Sequence, residues 1–236
     1  MSSRTLPRRT LLQVPGSGLP DLPCMNFELY VITDETIAGG RSHADIAQRA
    51  LGGGADVIQL RDKTCSSSEL FRAAQELRTI TRESGTLFIV NDRLDVAIAC
   101  GADGIHLGQD DMRVSTARQL APPGFVIGVS VGTVEEALEA EREGADYLAF
   151  SPTFSTTSKE DAGPGLGLER LREIRHAVSL PLVAIGGINR QNVRDVIGAG
   201  ADGIAVISAV VSQPDMTAAA RELKDLVRES KRGAGR

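Results

Sequence analysis

The residues best equipped for chemistry fall in short polar clusters, each at the end of a run of Val, Ile and Leu. Gln59, Arg61 and Lys63 alternate from the end of VIQL, and alternation in an extended segment points all three to one side, two cations and an amide converging. A solvated charge run is the competing account of Arg61-Asp62-Lys63. Asn91-Asp92 follows LFIV, and GIHL leads from His106 into Gly108-Gln109-Asp110-Asp111. Carboxylates with amide oxygens beside them suit a hard cation such as Mg2+, which keeps several waters and also touches substrate phosphates. N-capping of the following helix is the plain alternative for any one of these acids. Ser130 ends VIGVS. A lone histidine on a strand, His106, reads more readily as a structural group than as a catalytic one, while His43 and His176 fall in helical segments and are expected to face solvent.

Two further clusters are suited to phosphate. The long stretch from Ser151 through Thr156, Ser158 and Lys159 to Gly167 carries hydroxyls, a lone cation and glycines, which can wrap an anion through O–H, N–H and ammonium donors. A loop of that length inside a compact fold points to a lid or binding loop rather than a polar linker. Gly186-Gly187-Ile188, with Asn189 as a helix cap, and Val206-Ile207-Ser208 have the composition of a backbone-built phosphate site, where N–H groups and a helix N-terminus hold the anion.

The elements that must position these clusters follow from a repeat. Gly-Ala-Asp occurs at 54–56, 101–103, 144–146 and 200–202, each time after a helical pattern and before a short strand (VIQL, GIHL, YLAF, GIAVI). LYVIT at 29–33, LFIV at 87–90, VIGV at 126–129 and LVAI at 182–185 lie between them, which makes eight strands. Continuous rather than alternating hydrophobicity predicts parallel strands covered on both faces. Helical spacing over 43–52, 68–83, 133–143, 168–177 and 190–199 supplies the covering layer. The chain is therefore expected to be an α/β protein, one (β/α)8 TIM barrel over 26–232, with a doubly wound open sheet as runner-up. In a closed barrel every cluster named above sits at the C-terminal mouth.

Composition narrows the partners. A net charge of −5, a pI near 5.3 and 3% aromatics leave neither a basic footprint nor stacking platforms for nucleic acid. No apolar run is long enough to span a bilayer. Cys24, Cys65 and Cys100 match no zinc spacing and fit a reduced, cytoplasmic setting. Residues 1–25, rich in Arg, Ser, Pro and Gly and without acid before Asp21, read as a disordered extension or a stretch ahead of a start at Met25, with a transit peptide as the alternative. The oligomeric state, monomer or homo-oligomer, is left open by sequence.

Taken in order, Tyr30-Val31-Ile32-Thr33-Asp34, Gln59/Arg61/Lys63, Asn91-Asp92-Arg93, His106 to Asp111, Gly128-Val129-Ser130, Thr156-Ser158-Lys159 and Gly186-Gly187-Ile188 resemble the thiamine-phosphate synthase family over 28–230. The resemblance implies a magnesium-dependent transferase joining a hydroxymethylpyrimidine pyrophosphate to a hydroxyethylthiazole phosphate. It implies that Arg61, Lys63, Asn91, Ser130, Thr156, Ser158 and Lys159 bind the pyrophosphate, with Gln59 beside them and Arg61, Lys63, Ser130 and Lys159 as the catalytic set. Asp92 and Asp111 would hold Mg2+, and Gly187 with Val206, Ile207 and Ser208 would take the thiazole's phosphate. It further implies loss of pyrophosphate to a pyrimidinylmethyl cation that the thiazole nitrogen captures, with no general base. The loop departs from the family pattern at Ser155, where proline is usual, and at Ser158, where threonine is usual, which bears on loop rigidity. A thiazole tautomerase of the same family would share the thiazole-phosphate pocket without needing Asp92, Asp111 and Lys159 together, and a non-catalytic phosphate-ligand sensor would share the barrel alone. A Schiff-base aldolase fits poorly, since neither Lys63 nor Lys159 lies in an apolar strand pocket that would depress its pKa.

Overall fold

In a computed structural model that describes residues 25–156, 158, 163–233 and 235, eight parallel strands close into a barrel in sequential order. They are β1 (Leu29–Thr33), β2 (Val57–Leu60), β3 (Leu87–Asn91), β4 (Gly104–Leu107), β5 (Val126–Val131), β6 (Tyr147–Phe150), β7 (Leu182–Ile185) and β8 (Gly203–Val206). The seam is closed by β1 against β8, with Leu29 opposite Ile204 and Val31 opposite Val206. The helices are α1 (His43–Gly52), α2 (Ser67–Ser84), α3 (Leu94–Cys100), α4 (Val114–Leu120), α5 (Val134–Glu143), α6 (Gly167–Ala177), α7 (Val193–Gly198), α8 (Ser208–Val211) and α9 (Met216–Gly233). Every strand expected from the sequence is present, because a Val/Ile run buried on both faces has no amphipathic alternative. Met25, assigned by sequence to the extension, is partly buried against the core.

The Gly-Ala-Asp repeat has a structural job at the N-terminal end of the barrel. Gly54, Gly101, Gly144 and Gly200 all adopt left-handed backbone, φ +92°, +69°, +93° and +112°, which lets each helix turn directly into a strand. Each aspartate then reaches back to the neighbouring odd-numbered strand. The carboxylates of Asp56, Asp103, Asp146 and Asp202 accept from the backbone N–H of Leu29, Phe88, Ile127 and Leu182 at 2.9, 2.8, 2.7 and 2.8 Å. Each also takes a cation from a helix, respectively Lys224 of α9 at 2.7 Å, Arg78 of α2 at 2.8 Å, Arg118 of α4 at 2.6 Å and Arg175 of α6 at 2.9 Å. One four-part unit, strand, helix, strand and helix, is thus clipped four times around the ring.

Helix starts set the loops at the opposite end. Ser66 and Glu69 form a capping box at α2, and Thr133 and Glu136 form another at α5. Glu136 Oε2 also accepts from Gly132 N at 2.6 Å, shaping the turn that follows Ser130. At α7 the expected boundary is corrected. The helix begins at Val193 with Asn192 as N-cap, because Asn189 Oδ1 accepts from Gln191 N at 2.9 Å and Asn192 Oδ1 from Asn189 N at 2.8 Å, an interlocked turn that precedes the helix.

Candidate active site

Two cavities of about 530 and 560 Å3 open at the C-terminal mouth and share Ser151 as a common wall. The first is lined by Arg61, Lys63, Asn91, Asp92, Asp111 and Ser130, among others. The turn after β2 aims the cations. Asp62 Oδ1 accepts from Thr64 N, Thr64 Oγ1 and Cys65 N at 2.8, 2.9 and 3.1 Å, curling the chain behind Lys63. Burial alone would raise the Asp62 pKa, yet these donors overcome it and hold the carboxyl at about 2. Arg61 Nη1 lies 3.3 Å from Asp34 Oδ2, which fixes the guanidinium beside the cavity. Gln59 keeps the expected side but lies deeper, buried inside the barrel, where Nε2 donates to the Tyr30 hydroxyl at 2.6 Å.

The carboxylates do not cap helices. Arg93 is the N-cap of α3 and Arg113 that of α4, each without a side-chain capping bond. Asp92 has φ +58°, the one non-glycine residue with positive φ among the described residues, a conformation aspartate tolerates better than most and that concentrates at functional sites. Burial pushes its pKa up, and a hydrogen bond shared with Asp111 and the Asp111 charge push it further, to about 6, against the opposing pull of Lys63 and Arg61. Asp111 Oδ2 in turn accepts from Gly108 N at 2.7 Å. Two carboxylates are thereby held against each other beside two cations. Among the described residues no group of three or more His, Cys, Asp or Glu side chains is placed to hold a metal.

The second cavity is lined by Thr156, Ser158, Gly186, Gly187, Val206, Ile207 and Ser208, with no charged side chain among its described lining. Thr153 N donates to Ile185 O at 2.8 Å and Phe154 N to Gly186 O at 3.1 Å, so the long loop leaves β6 as an extension of the sheet along β7. Its returning arm is tied by Leu166 N to Pro152 O at 2.9 Å and Gly167 N to Thr153 O at 3.0 Å. Ser155 Oγ, in place of the expected proline, accepts weakly from Gly165 N at 3.4 Å, so a hydroxyl tether stands where a ring would have stiffened the chain. Thr156 and Ser158, grouped by sequence with the pyrophosphate set, are brought instead to Gly187 and Ser208, because Ser158 Oγ donates to Ser208 Oγ at 3.0 Å. Gly187 has φ +63°, and a Cβ there would come within 2.7 Å of Ser155 O. Lys159 lies outside the described residues.

Two expectations for histidines divide. His176 is exposed as expected, but His43 is buried at the start of α1, Nδ1 2.8 Å from Thr33 Oγ1 and Nε2 3.6 Å from Asp62 Oδ2, because that helix begins against the β1 and β2 loops. His106 is also buried, its two ring nitrogens each 2.9 Å from a hydroxyl, of Tyr147 and of Ser130. Sequence reasoning placed Tyr30 and Tyr147 on strands but gave neither a part in the site, since both faces of a barrel strand read as apolar and nothing marks which side faces inward.

The sequence profile of the family described as thiamine monophosphate synthase matches residues 29–210. The chain is 65% identical over 207 residues to the thiamine-phosphate synthase of Methanoregula boonei, covering 88% of this chain and 96% of that one, and 63% identical to that of Methanoculleus marisnigri, covering 88% and 98%. A solved structure of thiamine phosphate pyrophosphorylase from Pyrococcus furiosus superposes with a TM-score of 0.80 at 46% identity, covering 86% of this chain and 96% of that one. A likeness of this extent, on top of a mouth with one charged and one neutral cavity, means that the chain belongs to the thiamine monophosphate synthase family.

Proposed function

We propose that this barrel is a transferase that couples hydroxymethylpyrimidine pyrophosphate to hydroxyethylthiazole phosphate, giving thiamine phosphate and pyrophosphate. The observation that carries this function is the pair of unlike cavities meeting at Ser151, one built for a highly charged leaving group and one for a single phosphate. In the charged cavity Arg61 and Lys63 draw the pyrophosphate and Asn91 and the Ser130 hydroxyl add neutral donors; the family resemblance implies Lys159 as a further cation for the same group. In the neutral cavity the phosphate is held by Gly187, by the N–H groups where β8 enters α8 at Val206, Ile207 and Ser208, and by the Thr156 and Ser158 hydroxyls. The C–O bond to pyrophosphate breaks with its electron pair leaving on oxygen, and the thiazole nitrogen's lone pair forms the new C–N bond. No proton has to be removed, so the work of the side chains is to stabilise charge growing on the leaving group in a site that excludes water.

Asp92 and Asp111 fit a divalent cation. Their donors are all oxygen, two protein ligands leave positions for water and phosphate oxygens, and a positive charge between them would offset the burial and the Asp111 repulsion that together raise Asp92. Mg2+ held there would neutralise charge on the departing pyrophosphate. Among the described residues no helix is long and apolar enough to cross a membrane, and free Cys65 and Cys100 accord with a cytoplasmic setting. Pyrophosphate release from the two substrates, measured with and without Mg2+ and with Lys159→Ala alongside, tests the whole proposal. Metal-dependent thiamine phosphate formation that is lost in the variant is expected, and a well-folded wild-type protein that never couples would overturn it in favour of the tautomerase or sensor.

A further inference from the structure

A file of hydrogen-bonded side chains crosses the barrel beneath the charged cavity. Gln59 Nε2 is 2.6 Å from the Tyr30 hydroxyl, the Tyr30 and Tyr147 hydroxyls are 3.0 Å apart, Tyr147 Oη is 2.9 Å from His106 Nδ1, and His106 Nε2 is 2.9 Å from Ser130 Oγ. Gln59, Tyr30, Tyr147 and His106 are buried; His106 and Ser130 reach the wall of the charged cavity, and of the five only Ser130 is half-exposed. The barrel register is built for it. His106 pairs with Gly128, which pairs with Tyr147, and a Cβ on Gly128 would lie 1.9 Å from the Tyr147 ring, so glycine leaves the space that the ring occupies. Burial holds both tyrosine hydroxyls well above their ordinary pKa, so each keeps one proton to donate.

One proton per hydroxyl makes the file directional. With the Gln59 amide donating to Tyr30, the Tyr30 proton goes to Tyr147 and the Tyr147 proton to His106 Nδ1. His106 is then neutral with its hydrogen on Nε2, and donates it to Ser130. Ser130 has received a hydrogen bond and its own hydrogen points onward into the cavity. The opposite polarity starts from the Gln59 carbonyl oxygen, places the hydrogen on Nδ1, and turns the Ser130 hydrogen back to His106, so that lone pairs alone would face an anion. We propose that the file runs from Gln59 to Ser130, making His106 a positioning residue whose Nε2-protonated tautomer obliges Ser130 to donate to the leaving pyrophosphate. The identity of that acceptor rests on the function proposed above; the polarity of the file does not.

The test has two arms. In the first, 15N NMR of the substrate-free protein at neutral pH, with the His106 signals assigned by their loss in His106→Gln, should show Nε2 protonated and Nδ1 bare; an Nδ1-protonated or doubly protonated ring overturns the proposal. In Tyr147→Phe the single tautomer should give way to a mixture, and an unchanged spectrum would count against the file. The second arm is kinetic. His106→Leu should lower kcat by about 10- to 100-fold with KM for the thiazole phosphate unchanged. His106→Gln, which keeps an N–H of similar reach, should recover most of it. Added to Ser130→Ala, His106→Leu should cost nothing further, since it acts through that hydroxyl; losses that multiply would show a merely structural histidine. A protein that performs no coupling defeats the proposed function and leaves the NMR arm to decide the polarity by itself.

Discussion

The two ends of the barrel are built on opposite plans. At the N-terminal end four aspartates do the same thing four times, each joining a strand's N–H to a cation on a helix. At the C-terminal mouth no such fourfold repeat exists: β2 contributes cations, β3 and β4 carboxylates, β6 a long hydroxyl-bearing loop and β7 glycines. Repetition suits stability, because each clip solves an identical problem of tying a helix to the sheet. Binding two dissimilar substrates has no fourfold solution, so the symmetry ends where chemistry begins. Substitutions at one end should therefore change stability and at the other activity.

The largest effect should come from Arg61→Ala, which removes a cation facing the leaving group. Coupling, followed by pyrophosphate release, should fall by about a thousandfold, or about 4 kcal/mol of transition-state stabilisation, with little change in thermal midpoint. Asp103→Ala should do the reverse. Asp103 and Arg78 are 9% and 18% exposed, and the variant leaves the half-buried Arg78 without its partner, costing about 3 kcal/mol in urea unfolding while the folded fraction turns over normally. Asp202, 39% exposed in the equivalent clip, should cost about 1 kcal/mol on the same change, which would sharpen the idea that the clips differ only in how dry they are. Next, Gly187→Ala puts a Cβ against Ser155 O at a left-handed position and should raise KM for the thiazole phosphate about 10- to 100-fold, about 1.4 to 3 kcal/mol, leaving KM for the pyrimidine unchanged. An equal rise in both would dissolve the division of the mouth into two cavities.

The smallest effect is the most diagnostic. In the metal-free protein Asp92 has a folded-state pKa raised from 3.8 to about 6, so the native state binds more protons than the unfolded chain between those values and stability falls as pH rises through that window. Asp111→Asn removes one negative charge of the pair. It should abolish Mg2+ binding by calorimetry, yet make the metal-free protein more stable by about 1 kcal/mol at pH 7 and reduce its pH dependence between 4 and 6, the part due to the burial of Asp92 remaining. A destabilised metal-free variant would place Asp111 among the structural aspartates.

Legibility in the sequence follows the same divide. Strand positions and the repeat were readable because local chemistry decides them, a Val/Ile run for a buried strand and a left-handed glycine for the turn before it. The clips were not, since Asp56 and Lys224 stand 168 residues apart and nothing in either neighbourhood names the other. At the mouth, cations and acids could be gathered by their place behind strands, but the assignment of Thr156 and Ser158 to the neutral cavity depends on a bond to Ser208 across 50 residues. The burial of His43 and the tyrosine file were hidden for a related reason: inward and outward faces of a barrel strand are equally apolar, and only closure of the ring reveals which side chains meet.

The pairing of Asp56 with Lys224 also sets an order of events during synthesis. The other three clips join residues 25 to 28 positions apart and can form as soon as each quarter of the chain has been made. The clip at β1 and β2 has to wait for α9, so the first strands of the barrel to be made are the last to be fastened, and the growing barrel carries an unclasped seam until α9 has been synthesised.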